Sequence, residues 1–139
     1  MNFQKFTQKS IQAVNNLEKV ALEYGNQEIE QEHLLYSLLT QEESLIARLI
    51  AKMDIDSTLF INQVEQALNK RVKVSGGQPY IGQYLNKALI NADDEAKRMG
   101  DEYVSVEHLF LSLLDNKSPA VKTLFKENGI TRDRFLQAL

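Results

Sequence analysis

Cysteine and tryptophan are both absent from the 139 residues, and only two prolines interrupt them. Without cysteine there is no disulfide framework, no thiol nucleophile and no thiolate zinc site, a composition suited to a reducing cytoplasm. No stretch approaches 18 uninterrupted apolar residues, so no segment reads as a bilayer-spanning helix. The opening Met1-Asn2-Phe3-Gln4-Lys5 lacks the basic-then-apolar layout of a secretory leader. A cytoplasmic protein with no membrane partner is expected. Charge of one sign is missing as well: 16 basic against 19 acidic residues leave a net charge of -3, no field to gather nucleic acid. What is present, 43% apolar and 25% charged residues, is the make-up of one globular domain over 1–139.

The chain repeats itself. Shifted by 75 residues, positions 6–64 lie over 81–139 without a gap, and 14 of those 59 positions are identical, where composition alone gives roughly four. The sharpest block is Glu-His-Leu-Leu-Tyr-Ser-Leu-Leu from Glu32, against Glu-His-Leu-Phe-Leu-Ser-Leu-Leu from Glu107. Between the copies runs Val72-Lys73-Val74-Ser75-Gly76-Gly77-Gln78-Pro79, the one Gly/Pro-rich stretch. The units are therefore residues 1–71 and 81–139, joined by a connector over 72–80 short enough to bring them side by side at little loop entropy.

Each unit reads as four helices. Ile11, Val14, Leu17, Ala21 and Tyr24 recur at three- to four-residue steps, with Thr7 as an N-cap in front and Gly25 as a stop behind. Leu85, Ala88, Leu89, Ala92, Ala96 and Met99, followed by Gly100, form the matching stripe. The Glu-His-Leu block opens a short second helix, apolar on most sides and so buried, with Ser105 capping the later copy. A third helix runs over 44–52, and its counterpart starts at Ser118-Pro119 and ends at Asn128-Gly129; fourth helices begin at Asp56 and Thr131. Val72-Lys73-Val74 is too short to build a sheet. The expected class is all-α: two four-helix units packed with pseudo-two-fold symmetry.

The six glycines, at 25, 76, 77, 82, 100 and 129, make no phosphate-cradling loop, so no ATP site is expected. Glu32 with His33, and Glu107 with His108, suggest a metal pair, but neighbouring residues stand about 100° apart on a helix, whereas bundle metal sites use Glu and His three apart on one face. The spacing favours half-buried imidazoles bonded to backbone or carboxylate, and no metal. Ser37 and Ser112 lie among leucines with no nucleophile elbow around them; they read as small packing residues, and no catalytic group is assigned. Lys70, Arg71 and Lys73 read as a solvated helix end. Glu32 and Glu107 sit at equivalent early helix positions, either on one shared surface or on opposite sides. Two units meeting leave a crevice with apolar walls and a polar rim, suited to a peptide segment.

The repeated Glu-His-Leu block, the opening residues through Phe6-Thr7, the Gly76-Gly77-Gln78-Pro79-Tyr80 run and the segment from Gly100 to Leu109 resemble the N-terminal domain of Clp-type AAA+ unfoldases. The connector and the Asp-Glu-Tyr-Val-Ser-Val-Glu-His-Leu run look most like the ClpB branch. The resemblance implies a non-enzymatic module on a mobile linker to ATPase rings, which would bind ATP and Mg. It implies that the module engages unfolded or aggregated proteins for disaggregation. Thr7, Asp101 and Glu107 match the family's substrate-binding positions, and Leu89 matches an apolar groove residue. The related ClpC proteins bind adaptor proteins and phosphoarginine; those glutamates match Glu32 and Glu107, and one accompanying threonine matches Thr7. Gly82 replaces the second threonine, a departure that favours the ClpB assignment.

Overall fold

Thr7 stands in extended backbone and its hydroxyl accepts from the Ser10 N–H, which starts α1 (Gln8–Asn15). Asn16, still right-handed, passes the helical hydrogen bonds on to α2 (Leu17–Glu23), so the two segments are one helix with a break at its middle. It stops where Gly25 takes a φ of +70°. The computed structural model describes residues 3–139; Met1 and Asn2 of the opening run lie outside the described residues. Next come β1 (Glu28–Ile29), α3 (Gln31–Leu39), α4 (Leu45–Lys52) capped by Ser44, and α5 (Ser57–Asn69) capped by Asp56. After the connector, β2 (Tyr80–Ile81) comes first, and α6 (Gln83–Arg98), α7 (Val106–Asp115), α8 (Pro119–Glu127) and α9 (Arg132–Ala138) repeat the succession of helices. Ser105, Ser118 and Thr131 cap the last three, as the sequence predicts. With α1 and α2 taken as one, each unit has four helices among the described residues, and the fold is all-α.

The strands come from segments with no strand pattern, and they explain the symmetry. Ile29 pairs with Ile81 in a two-residue parallel ladder, and Phe6 pairs with Val104 in an isolated parallel bridge. Adding 75 turns Phe6 into Ile81 and Ile29 into Val104, so the two pairings are one contact made twice. The flanking bonds match too: Thr7 N–H donates to Val104 O at 2.9 Å and Gly82 N–H to Ile29 O at 2.8 Å. Each unit thus hands the segment before its first helix to the other, and this reciprocity builds the pseudo-two-fold relation.

Helices α3 and α7 carry the Glu-His-Leu blocks through the middle of the core, almost wholly buried. Their serines are more than small residues. Ser37 Oγ donates to Ala13 O at 2.7 Å and Ser112 Oγ to Ala88 O at 2.5 Å, which lets a hydroxyl sit among leucines without a stranded donor. Phe110 stacks on Phe135 at 4.5 Å and leans on Phe125 at 5.4 Å, tying α7 to α8 and α9. Burial of each such ring contributes about 2–3 kcal/mol. Gln31, fully buried, joins the units through polar bonds: its Nε2 donates to Tyr84 O and Asn116 O, and its Oε1 accepts from Ser118 N–H.

Candidate functional site

The pseudo-two-fold axis produces two equivalent surfaces, each where the start of one unit's first helix meets the loop before the other unit's second helix. On the first surface Thr7 caps α1, and the bond from its N–H to Val104 holds the 101–105 loop beside it. Gly100 turns that loop at a φ of +73°, which presents Asp101 with its side chain 49% exposed. One carboxylate oxygen of Asp101 accepts from His108 Nε2 at 2.8 Å. Tyr103 stands 53% exposed, and Glu107, in the first turn of α7, is partly exposed and makes no ion pair among the described residues. Thr7 is thus held beside the segment that carries Asp101 and leads into Glu107.

The second surface gathers the matching residues around a cleft of about 430 Å³ lined by Glu28, Glu30, Glu32, Arg71, Tyr80 and Gly82 among others. Glu32 is only 2% exposed and bonds Arg71 at 2.9 Å, while Glu28 takes the other guanidinium nitrogen at 2.7 Å. Glu107 is not among the residues that line this cleft with Glu32. Arg71 is no solvated helix end but a clamp over two carboxylates, whereas Lys73 reaches Tyr24 O. Glu30 is buried and spans the units: its carboxylate accepts from Gln31 N–H at 3.0 Å, Tyr84 N–H at 3.1 Å and Leu85 N–H at 3.0 Å. It supplies the cap that Gly82, with no side chain, cannot give to α6.

Leu89 requires a correction. It was expected among groove residues, but it is 4% exposed and packs in the core with Leu85, Ala88 and Ala92 on the inner stripe of α6. The crevice between the units exists elsewhere, as a cleft of about 560 Å³ between α5 and α8, with Ala67, Ala120 and Leu124 as apolar wall and Gln63, Gln66 and Glu127 as polar rim.

The histidines are fully buried rather than half-buried. In each, Nδ1 accepts from a backbone N–H at 2.9 Å, of Glu30 for His33 and of Ser105 for His108. That leaves Nε2 as the protonated nitrogen, donating to Asn26 Oδ1 and Asp101 Oδ2 respectively. Both ring nitrogens of each are spent, and Glu32 is spent on Arg71, so the Glu-His pairs are not arranged as ligands. Asn26, Glu30, Gln31 and Arg71 were not singled out as site residues from sequence. The signal for Glu30 lay in the repeat alignment, where Ser105 faces Glu30 just as Thr7 faces Gly82.

Burial, with the Arg71 charge nearby, lowers the His33 pKa to about 4. An unfolded histidine titrates near 6.5, so between about pH 6.5 and 4 the unfolded chain binds the proton first and stability falls by up to about 3 kcal/mol. Glu30 acts in the opposite sense: burial raises its pKa against the lowering effect of the Gln31 and Tyr84 amides, so in acid the folded state binds its proton first and offsets part of the loss. Urea unfolding at pH 7 and pH 4.5 measures this. His33→Gln keeps an acceptor for the Glu30 N–H without a titrating ring and should flatten the dependence; an unchanged pH slope in that variant would refute the assignment.

A model of the Clp repeat (R) N-terminal domain matches residues 5–128. The chaperone protein ClpB of Nitratidesulfovibrio vulgaris is 37% identical over 145 residues, covering all of this chain and 17% of that protein. ClpB of Porphyromonas gingivalis is 37% identical over 139 residues, again all of this chain and 16% of that protein. The chain thus spans about a sixth of the length of these relatives. Among solved structures, the Hsp104 N-terminal domain from Candida albicans superposes with a TM-score of 0.79 at 21% identity, covering 97% of this chain and 89% of that one. A ClpV N-domain in complex with a VipB peptide superposes at 0.74 with 20% identity, over 98% and 89% of the two chains. With the family's pattern running through both units, the chain belongs to the Clp repeat (R) N-terminal domain family and is similar in sequence to its ClpB members.

Proposed function

We propose that this chain is the client-engaging N-terminal module of a ClpB-type disaggregase, binding unfolded or aggregated polypeptide for delivery to ATPase modules of the same chain in the cytoplasm. ATP and Mg belong to those modules, and this domain contributes binding without chemistry. The reading is carried by the Thr7 face, whose loop carries the exposed Tyr103 between Asp101 and the partly exposed Glu107. Aromatic surface holds apolar segments weakly, and the carboxylates favour segments with basic neighbours. Weak attachment suits a delivery module, because a tightly held client would not move on, and several copies around a ring would offset the weakness through effective concentration. The ClpV N-domain bound to a VipB peptide supports a peptide segment as the kind of partner this fold accepts.

Titration of the ¹⁵N-labelled domain with reduced, carboxymethylated lactalbumin tests the reading. Amide shifts are expected at Thr7, Asp101, Tyr103 and Glu107. Silence at large excess of the unfolded protein would dismiss it. The adaptor or phosphoarginine alternative retains Thr7 and Glu107, but its third residue, Glu32, is buried under Arg71.

A further inference from the structure

The two pseudo-symmetric faces have the same architecture, but their matching polar groups differ in accessibility. Thr7 brings a hydroxyl to the first; at the matching place Gly82 brings none. Asp101 is an exposed carboxylate, and its counterpart Asn26 is an uncharged amide, 3% exposed and bonded to His33. Glu107 makes no ion pair among the described residues, while Glu32 lies under Arg71. Ser105 is small, and in its place Glu30 sends a carboxylate into the start of α6.

We propose that the Gly82 face is a latent copy of the recognition surface, its polar groups occupied from within by Glu30 and Arg71, so that a client segment is engaged through the Thr7 face alone. This rests on the client-binding reading above and deepens it. A ligand group entering the Gly82 face must displace Glu30 from three backbone amides or Arg71 from two carboxylates. Those partners are covalently tethered and already desolvated, whereas an incoming peptide bears the full loss of translational and rotational freedom. On the Thr7 face, among the described residues, the competing internal contact at a carboxylate is the bond between Asp101 and His108. Duplication made two sites, and the internal ligands leave one open.

The test uses the same unfolded lactalbumin probe on the wild-type domain and three variants, each with a thermal melt beside the titration. Glu107→Gln should weaken binding by about tenfold at an unchanged melting temperature, the loss of one charge-assisted contact. Glu32→Gln should leave the affinity within about twofold, since that carboxylate meets no client, and should lower the melting temperature because Arg71 loses a partner. Glu30→Ser combined with Gly82→Thr and Arg71→Ala imports the open arrangement and should add new shifts at Tyr84 and Leu85. If that triple variant does not fold, the two single variants decide alone. Equal affinity losses from Glu107→Gln and Glu32→Gln, or wild-type shifts centred on Glu28 and Tyr84, would overturn this inference while leaving client binding intact. No binding by the wild-type domain would overturn the client-binding reading and this inference with it.

Discussion

Gln31→Ala is expected to lower the unfolding free energy by about 2–4 kcal/mol, far more than the truncation of an amide on the surface. The side chain is fully buried and makes three bonds, all to main-chain groups of the second unit: Tyr84 O, Asn116 O and Ser118 N–H. Alanine removes the acceptor and both donor contacts at once. The Ser118 N–H is the costliest loss, because it lies at the cap of α8 and is buried with the amide that satisfied it. The pseudo-symmetric position holds Val106, so an apolar residue is compatible with the fold there only because its neighbours make no such demand. Urea unfolding of wild type and variant at pH 7 measures the difference through the midpoint, with an unchanged m-value if the native state keeps its surface. A loss below about 1 kcal/mol would mean that water replaces the amide and that the junction is wetter than the structure indicates.

Features written within a few residues of one another were legible in the sequence. Thr7, Ser118-Pro119 and Thr131 announce helix starts because capping is a contact over two or three residues, and Gly25, Gly100 and Gly129 announce stops because only the left-handed backbone closes those turns cheaply. His33 and His108 were harder to read. They reach back to the N-cap N–H as Glu or Gln would in a capping box, and histidine at that position resembles a ligand before it resembles a cap. Contacts between residues far apart in the chain were not legible, whether within a unit or between the two. Arg71 meets Glu28 and Glu32 across about forty residues, and nothing local in Lys70-Arg71 distinguishes a clamp from a solvated helix end. Family likeness assigns Leu89 to groove surface, yet its own stripe with Leu85 and Ala92 points inward. The placing of Thr7 beside the segment that carries Asp101 needed the strand exchange between units, which has no hydropathy signature at two residues per strand.

Glu30 and Gly82 should behave as a single unit in a double-mutant cycle. A methyl group built at Gly82 overlaps Glu30 Oε1, although the backbone there has an ordinary φ of -74°. Gly82→Ala therefore carries no dihedral strain; its cost is the expulsion of the Glu30 carboxylate from the amides of Gln31, Tyr84 and Leu85. Glu30→Ser empties the same place directly and leaves the start of α6 without an anionic cap. Each single variant should lose about 2–3 kcal/mol, the value of a charge-assisted cap at a buried helix start, reduced by the desolvation already imposed on the carboxylate. Made in the Glu30→Ser background, Gly82→Ala should cost less than about 0.5 kcal/mol, a coupling of about 2 kcal/mol between the two positions. Gly82→Thr in that background should recover stability, because it installs the self-capping arrangement that Thr7 uses at the matching position of the first unit. Thermal and urea melts of the five proteins close the cycle. Additive losses from Glu30→Ser and Gly82→Ala would show that the carboxylate and the glycine do not share the space the structure assigns to both.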